Sequence, residues 1–395
     1  MNDLAAQTIQ VVNKSDDLVA SAIQTANKSI AVYCRYIRPN DVGTTGSHQS
    51  GFYIQKHFSD DLFDVVCQKG TNKTISIKIN WQDGSVTNSN FKYYGQGTRN
   101  EARITGFGKN FEFLSDKYSG SLLVLCRACY KDLLFHAFVL SSDEDIEIFI
   151  AETNILPGSL YLPKKQEVED NLTKLFSLFP NFPKTEEMAV LARENIALNK
   201  TNVSNVLKQW VSKEYELFSI FEKREFEIIK SKITDLDSFI NFAHSFTNRR
   251  KARAGKSLEL HLSRIFDEFS LKFETQAKTE GKKKPDFLFP GSEEYHAMDE
   301  SGNFIFQTEK LTMLGSKTTC KDRWRQVLNE ADRIPHKHLF TLQEGISDTQ
   351  IQEMSDENLT LVVPKESVKT FGTFGKTHVL TLENFIKYIK SQQVS

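Results

Sequence analysis

Short apolar runs dominate the chain up to about Glu152. Apolar and polar positions alternate within these runs, and clusters of Gly, Asn, Asp and Ser separate them, a pattern typical of β-strands. The runs are SIAVYCRYI, SGFYI, TISIKINW, SLLVLCRAC, LFHAFVL and IEIFIAE. Many short strands in one segment predict a small barrel or sandwich, so we expect a β-rich N-terminal domain.

The pattern changes after a proline-containing segment. Apolar residues then recur at spacings of three and four, as in VLKQWVSKEYELFSIFEKREFEIIKSKI and DLDSFINFAHSF, which predicts amphipathic helices. After Arg249, helical and strand patterns alternate through SLELHLSRIF, PDFLF, LTMLGSK, CKDRWRQVLNEA and KHLFTL, which predicts an α/β sheet covered by helices. We therefore expect a domain at residues 1–156, a linker at 157–184 and a second domain at 185–395.

Composition places the chain among ordinary globular proteins. It has 395 residues, a net charge of -1 and 26% charged residues, so no excess of one charge dominates it. No stretch approaches the ~18 apolar residues of a membrane span, and we expect no membrane contact. Five cysteines in a long chain suggest reduced thiols and a cytoplasmic location. Cys126 and Cys129 are a metal or redox pair in one interpretation and core cysteines of a strand in the other.

The second half contains candidate residues for phosphodiester hydrolysis, which requires a divalent metal to activate water. Asp286 stands at the start of the PDFLF strand, and Lys317 at the end of LTMLGSK. A lysine beside the metal can polarise the attacking water. Many metal-dependent nucleases have a carboxylate two residues before this lysine, but here that residue is Gly315.

A second acid is available on the predicted helix that follows. Arg323, Gln326 and Glu330 recur at helical spacing on one face, so Glu330 can replace the acid missing at position 315. Glu259, in SLELHL, is a further acidic candidate. The alternative is that both glutamates are solvated helix residues, which is their usual role.

RRKARAGKSLELHL, KKKPDFLFP, KTTCKDRWRQVLNEADRI and HLFTLQEGIS resemble the C-terminal domain of EcoRII-type restriction endonucleases. The resemblance implies a PD-(D/E)XK nuclease fold with a helical lead-in, in which the second acid has moved to the helix. It further implies that Asp286, Lys317 and Glu330 are catalytic, that Asp286 and Glu330 bind Mg²⁺, and that Glu259 supports them.

The triplet Lys321-Asp322-Arg323 is predicted to occupy the first turn of that helix. Basic side chains donate to guanine and an aspartate accepts from cytosine, so the triplet suits adjacent G·C pairs in the major groove. The resemblance implies contact with the outer pairs of a CC(A/T)GG-type site. By itself, without Lys317 and Glu330, the triplet would favour the alternative of three surface charges at a helix start.

A basic run precedes the SLELHL helix. Arg249, Arg250, Lys251 and Arg253 occur there without an acid, which suits contacts to DNA phosphates. The alternative interpretation is a solvated basic loop.

Two polar segments of the first half, RYIRPNDVGTTGSHQSGFYI and YYGQGTRNEARITGFGKNF, resemble the N-terminal effector domain of the same family. That domain is a B3-like pseudobarrel that holds DNA with two arms. The resemblance implies DNA contacts by Arg35, Arg38, Asn40, Asp41, Tyr94, Arg99, Asn100, Glu101 and Arg103. The asparagines and Asp41 have a structural alternative, because such residues often shape turns.

The resemblance implies a type IIE restriction endonuclease, a homodimer that cuts both strands before the first cytosine. It also implies double-stranded DNA in more than one site copy as partner, and a cognate DNA cytosine methyltransferase. Apolar spacing places part of the dimer interface between Val206 and Phe246. Two alternatives are a DNA-binding regulator with an inactive nuclease fold and a methyl-dependent or repair nuclease.

Overall fold

A computed structural model of the chain describes residues 18–44, 51–163, 175–176, 178–194 and 196–394. Its contacts divide the chain into two compact units. The first unit contains Met1–Glu169, Glu344–Ser347 and Thr370–Gly372, and the second contains Asp170–Gln343, Asp348–Lys369 and Thr373–Ser395. Among the helices of these described residues, none combines the length and apolar character that a membrane crossing requires.

The described part of the first unit contains one eight-stranded sheet, in the order β2-β5-β4-β3-β7-β6-β1-β8. All neighbours are antiparallel except β3 and β7. The strands are β1 (Ala31–Tyr36), β2 (Phe52–Ile54), β3 (Asn72–Trp81), β4 (Val86–Tyr94), β5 (Glu101–Thr105), β6 (Leu122–Arg127), β7 (Leu134–Leu140) and β8 (Ser159–Tyr161). The predicted β-rich character of the first half is confirmed.

Alternating side chains of this sheet form the core of the first unit. In β3, Ile77, Ile79 and Trp81 are buried while Ser76 and Lys78 are exposed, as expected for a strand with one covered face. Cys126 is buried in β6. Its interpretation as a core cysteine therefore agrees with its position.

Two predictions for this region are wrong. IEIFIAE belongs to a helix rather than a strand; the helices of this unit are α1 (18–28), α2 (Ser59–Phe63) and α3 (Asp143–Thr153). The Ser142 side chain caps α3 by accepting from the Asp145 backbone N–H, and acidic residues fill its first turn. The predicted linker also begins too early, because β8 lies inside it and pairs with β1. Pro157 and Pro163 flank this edge strand instead of interrupting it.

The second unit begins with helices and continues as a mixed α/β fold. Its helices are α4 (Thr185–Glu194), α5 (Val203–Ile229), α6 (Leu236–Glu268), α7 (Ser292–His296), α8 (Trp324–Val327), α9 (Asp348–Asp356), α10 (Thr373–His378) and α11 (Leu382–Val394). The basic run lies within the long helix α6, so it is not a loop.

Six strands of the described residues form the sheet of the second unit, in the order β14-β13-β12-β11-β10-β9. They are β9 (Glu274–Thr275), β10 (Phe287–Phe289), β11 (Thr312–Lys317), β12 (Lys337–Thr341), β13 (Leu359–Val363) and β14 (Leu380–Thr381). Strands β11 to β14 are parallel, whereas β10 runs antiparallel to β11. The beginning of β10 therefore lies beside the end of β11, which positions the candidate site.

Candidate active site

Asp286 and Lys317 meet where β10 begins and β11 ends. The Lys317 Nζ lies 3.6 Å from Asp286 Oδ2. The same oxygen accepts hydrogen bonds from the Ser316 backbone N–H at 2.7 Å and from the Ser316 hydroxyl at 3.3 Å. Donors from two consecutive residues of β11 thus hold one oxygen of this carboxylate in place.

Helix α6 contributes Glu259 to the group formed by Asp286 and Lys317, which is called the active-site cluster below. Gln276, which follows β9, donates from Nε2 to Asp286 Oδ1 at 2.9 Å and to Glu259 Oε2 at 3.3 Å. Burial raises the pKa of Glu259, and the Asp286 carboxylate raises it further. The structure therefore brings Glu259, Asp286 and Lys317 to one place.

The strand position two residues before Lys317 has little room for a side chain. A Cβ atom at Gly315 would lie 3.0 Å and 3.2 Å from the two Cγ atoms of Val327, and 3.4 Å from Leu339 Cδ1. These distances are shorter than the optimal separation of carbon atoms. Gly315 lets α8 pack directly on β11, so a carboxylate here would have to displace Val327.

Glu330 lies in the turn after α8, not on a continuous helix as predicted. Helix α8 ends at Val327, whose carbonyl accepts from the Glu330 backbone N–H at 3.1 Å. Burial raises the pKa of Glu330 to about 7, and the Asp286 charge contributes, while Lys317 acts in the opposite direction. Glu330 Oε2 is buried without a hydrogen-bond partner among the described residues. Such an oxygen is unusual in a folded protein and needs a cation or a proton.

The turn that carries Glu330 is fixed from two sides. Lys337, buried on β12, donates from Nζ to the carbonyl of Ala331 at 2.6 Å. Ala331 itself has a left-handed backbone, with φ 48°. On the other side, the Arg333 backbone N–H donates to the Tyr295 hydroxyl at 3.0 Å. These contacts hold the segment that determines where the Glu330 carboxylate lies.

The residues present fit a magnesium ion. Asp286 and Glu330 offer only oxygen ligands, and Mg²⁺ commonly takes just one or two protein carboxylates. The unpartnered Oε2 of Glu330 is consistent with this pair. Across the described chain, no group of three or more His, Cys, Asp or Glu side chains is placed to hold a metal.

The Lys321-Asp322-Arg323 triplet lies in a turn before α8, which begins only at Trp324. This corrects the prediction that the triplet forms the first helical turn. Asp322 is exposed and Arg323 is partly exposed, but Lys321 is only 9% exposed. The Lys321 side chain would have to leave this position to reach a base edge.

The basic run of α6 is paired within the second unit, because α5 supplies the acids that the run itself lacks. Arg249 forms an ion pair with Glu225, and Arg250 Nε lies 2.7 Å from Glu222 Oε1. Arg253 is 1% exposed, and its guanidinium lies over the ring of Tyr215, 3.8 Å from the centroid. The predicted phosphate contact is therefore wrong for Arg253, which is buried. For Arg249 and Arg250, a DNA phosphate would have to compete with the glutamates that they already bind. The side chain of Lys251 lies outside the described residues.

In the first unit, three of the predicted DNA contacts are buried. Arg35 Nη1 lies 2.8 Å from Asp41 Oδ2, and both side chains are inaccessible. Asp41 also accepts from the Tyr53 backbone N–H at 3.0 Å. Arg103 donates to the carbonyl of Gly51 at 3.1 Å. Arg35, Asp41 and Arg103 thus hold neighbouring segments together, which corrects their predicted role.

The other predicted contacts of the first unit are more accessible. Arg38 forms a 2.8 Å ion pair with Glu344, and Asn40 and Glu101 are partly buried. Arg99 is exposed, with its guanidinium 5.5 Å from the ring centroid of Tyr94. Asn100 is exposed and accepts from the Tyr93 hydroxyl at 2.8 Å. Arg99 and Asn100 therefore remain available to a ligand.

Three residues of the site escape sequence reasoning: Gln276, Ser316 and Lys337. Ser316 and Gln276 bond Asp286 across 30 and 10 residues of sequence, and Lys337 bonds Ala331 across 6. Only Lys337 carries a local signal, because a lysine opens the KHLFTL strand pattern. Burial lowers the pKa of its ammonium group.

Family models describe both halves of the chain. The model for the EcoRII C-terminal domain matches residues 218–386, and the model for the N-terminal domain of restriction endonuclease EcoRII matches residues 26–167. Type II restriction enzyme EcoRII from Escherichia coli is 35% identical over 383 residues, which covers 90% of this chain and 93% of that protein. Type II restriction enzyme SsoII from Shigella sonnei is 27% identical over 158 residues, 37% of this chain and 48% of SsoII.

Solved structures of restriction endonucleases show a weaker likeness. Metal-depleted Ecl18kI in complex with uncleaved DNA is 20% identical with a TM-score of 0.46, covering 56% of this chain and 83% of that chain. The PspGI-substrate DNA complex is 16% identical with a TM-score of 0.43, covering 57% and 97%. The sequence matches alone place the chain in the class of type II restriction endonucleases. It belongs to the EcoRII family and has the two-domain architecture of that family.

Proposed function

We propose that this enzyme cuts both strands of DNA at a CC(A/T)GG-type site, before the first cytosine, in a Mg²⁺-dependent reaction. The observation that carries the proposal is the convergence of Asp286, Lys317 and Glu259 beside the turn of Glu330. Asp286 and Glu330 would hold the metal. When bound, Mg²⁺ supplies water activation and neutralises phosphate charge.

The protein side chains have separate tasks in this proposal. The Lys317 ammonium holds the attacking water beside Asp286 and stabilises the charge that develops on the phosphoryl oxygens. Glu259 supports Asp286 through Gln276, which bonds both carboxylates. Asp322 and Arg323, outside the cluster, have the exposure needed to read a cytosine and a guanine.

Digestion of a sequenced plasmid with Mg²⁺, followed by mapping of the ends, tests the nuclease proposal. Ends at CC(A/T)GG sites are expected, and cutting should stop when EDTA removes the metal. Random ends or no cutting would refute the proposed site. No cutting together with specific binding would favour the alternative of a DNA-binding regulator, whereas cutting only of methylated or damaged DNA would favour the other alternative.

We propose that the first unit is a B3-like effector domain, which binds a further copy of the site. The exposed Arg99 and Asn100 and the partly exposed Tyr94 support this proposal, because such side chains suit phosphate and base contacts. Slow cutting of single-site DNA, accelerated by a site-bearing duplex, is expected. Full cutting of single-site DNA without activator would remove the effector role and leave the nuclease role intact.

The remaining parts of the proposal concern assembly and context. We propose a homodimer, and the distal part of the α5–α6 pair supports it through exposed Phe226, Ile228, Leu236, Phe239 and Ile240. Sedimentation of wild-type protein and Phe239→Asp tests this, with a monomeric variant expected. A cytoplasmic location and a cognate DNA cytosine methyltransferase complete the proposal, since an active enzyme of this class requires protected host sites.

A further inference from the structure

One neutral side chain links two of the candidate catalytic carboxylates. Gln276 Nε2 lies 2.9 Å from Asp286 Oδ1 and 3.3 Å from Glu259 Oε2. Ionised carboxylates only accept hydrogen bonds, so the amide nitrogen and not the amide oxygen faces them. The nitrogen has two N–H groups, one for each partner.

The backbone of Gln276 has an unusual conformation. Its φ is 53°, in the left-handed region that residues with a side chain seldom occupy, at a cost of about 1 kcal/mol or more. Its backbone N–H donates to the Asp286 carbonyl at 3.2 Å, next to the pairing of β9 with β10. Backbone and side chain of Gln276 therefore both contact Asp286.

The Asp286 carboxylate is held at both of its oxygens. The Ser316 backbone N–H binds Oδ2 at 2.7 Å, and Gln276 binds Oδ1 at 2.9 Å. Donors on both oxygens fix the rotation of the carboxylate plane, while Oδ1 keeps a lone pair for another partner. Without Gln276, the plane would be fixed at one end only.

Gln276 also acts between like charges. After burial, the negative charge of Asp286 raises the pKa of Glu259, as a like charge nearby does. A neutral donor between them offsets this repulsion without adding a charge. A glutamate at position 276 would add a negative charge, and a lysine would compete with a bound cation.

We propose that Gln276 is a positioning residue of the active site, which orients Asp286 and holds Glu259 beside it for metal binding. The proposal rests on the metal-dependent nuclease function proposed above. Partners that orient the ligands of a metal typically change metal affinity or activity about 10- to 100-fold when they are replaced.

The test compares Gln276→Gly, Gln276→Ala and wild type as full-length proteins. Glycine removes the amide and accepts the left-handed backbone, so this variant should keep its urea midpoint even if the alanine variant loses stability. Gln352→Ala is the matched control, because Gln352 is an exposed glutamine of α9 that bonds Asp356 Oδ1 at 2.8 Å. Mn²⁺ affinity is measured by calorimetry, and the half-saturating Mg²⁺ concentration by DNA cleavage.

Both Gln276 variants should bind Mn²⁺ about 10- to 100-fold more weakly and need correspondingly more Mg²⁺. At low metal concentration, KM for DNA should stay the same while kcat falls. Wild-type metal binding and Mg²⁺ dependence in Gln276→Gly would overturn the positioning role, while loss of cutting in Asp286→Asn would show that the nuclease function stands. A wild-type protein that binds no Mn²⁺ and cuts no DNA would overturn both.

Discussion

The arginines of helix α6 and the carboxylates of the active-site cluster have different surroundings. Arg250 pairs with Glu222 of α5, and Arg253 lies buried over aromatic rings. In the cluster, by contrast, Glu330 keeps a buried oxygen without a hydrogen-bond partner in the described chain, and its pKa is raised to about 7. The ion pairs of Arg249 and Arg250 have both partners within the protein, whereas Glu330 Oε2 has none among the described residues.

Charged groups with a partner inside the protein serve the fold, whereas a buried charged group without one is a candidate for ligand binding. Removal of one partner from a buried ion pair leaves an uncompensated charge, so a folded protein keeps such pairs intact. Carboxylates held near each other raise the free energy of the folded state, and folded proteins accept such a cost chiefly at functional sites. In the first unit, Arg35 and Asp41 form a buried ion pair within the fold, while the exposed Arg99 is available to a partner.

Replacement of the cluster lysine should have the largest effect. Lys317→Ala removes the ammonium beside Asp286 and should lower cleavage by about 10²- to 10³-fold or more, because it removes charge stabilisation in the transition state. Binding of a site-bearing duplex without metal should persist. Lys213→Ala, at an exposed α5 lysine that pairs with Glu216, is the control. Cleavage rates near wild type for Lys317→Ala would remove Lys317 from the site.

The buried arginine of α6 should affect stability instead. Arg253→Ala removes a side chain that is 1% exposed and packed on Tyr215 and Phe218, so we expect a loss of about 2–4 kcal/mol in the free energy of unfolding. Urea denaturation measures this loss. The salt dependence of DNA binding should not change, because a buried guanidinium releases no DNA counterion. A reduced salt slope at unchanged stability would restore the predicted phosphate contact.

Local patterns in the sequence predict the strands that carry the site but not the partners of its charges. The runs PDFLF, LTMLGSK and KHLFTL have their strand character in neighbouring residues, and all three occur as strands. The acids that neutralise Arg249 and Arg250 lie on another helix, at sequence separations of 24 and 28 residues. Only the packing of α5 on α6 shows that they are near.

In the candidate site, too, the sequence predicts the strand residues but not the side chains that contact them. Asp286 and Lys317 lie at strand ends where the sequence places them, and the structure brings them to 3.6 Å. Gln276 has no local signal, because its importance comes from contacts to Asp286 and Glu259 in other segments. For IEIFIAE, the local pattern itself was misleading. Its alternating apolar residues predicted a strand, but Ser142 caps the start of a helix there.

The raised pKa of Glu330 predicts how stability depends on pH in the metal-free protein. Because the folded state raises this pKa from 4.5 to about 7, the protonated carboxyl favours folding. Its contribution is complete below 4.5 and is lost as the pH rises through about 7; it amounts to at most about 3 kcal/mol, at about 1.4 kcal/mol per pKa unit.

Urea unfolding in EDTA across this pH range tests the sign of the effect. Glu330→Gln stays neutral, so the fall in stability seen for wild type between these pH values should be absent from the variant. Mg²⁺ should restore the stability of the wild type at high pH by binding the ionised carboxylate. Equal pH slopes for the two proteins would show that folding does not raise the pKa of Glu330, which would contradict the burial of an unpartnered carboxyl oxygen at this residue.

The packing of Gly315 on Val327 provides a structural test of the cluster geometry. Gly315→Ala would force the Val327 methyl groups away, since the new Cβ would lie 3.0 Å and 3.2 Å from them, and overpacking of this kind costs about 1–3 kcal/mol. The shift should move the turn that carries Glu330 and slow cleavage. Val327→Ala in the same protein should restore the rate, and this restoration distinguishes displacement of Glu330 from a general loss of stability. A double variant as slow as Gly315→Ala alone would contradict the steric explanation.

The smallest effect is expected for the exposed arginine of the first unit. Arg99→Ala should reduce the salt slope of DNA binding by about one counterion if the residue contacts a phosphate, and leave the unfolding midpoint unchanged because its side chain is exposed. Arg35→Ala is the matched comparison, since it breaks the buried 2.8 Å pair with Asp41 and should lower stability. Arg99→Ala could instead lower the free energy of unfolding and leave the salt slope unchanged. Both arginines would then stabilise the fold, and the exposure of a side chain would not predict which arginine of this unit binds DNA.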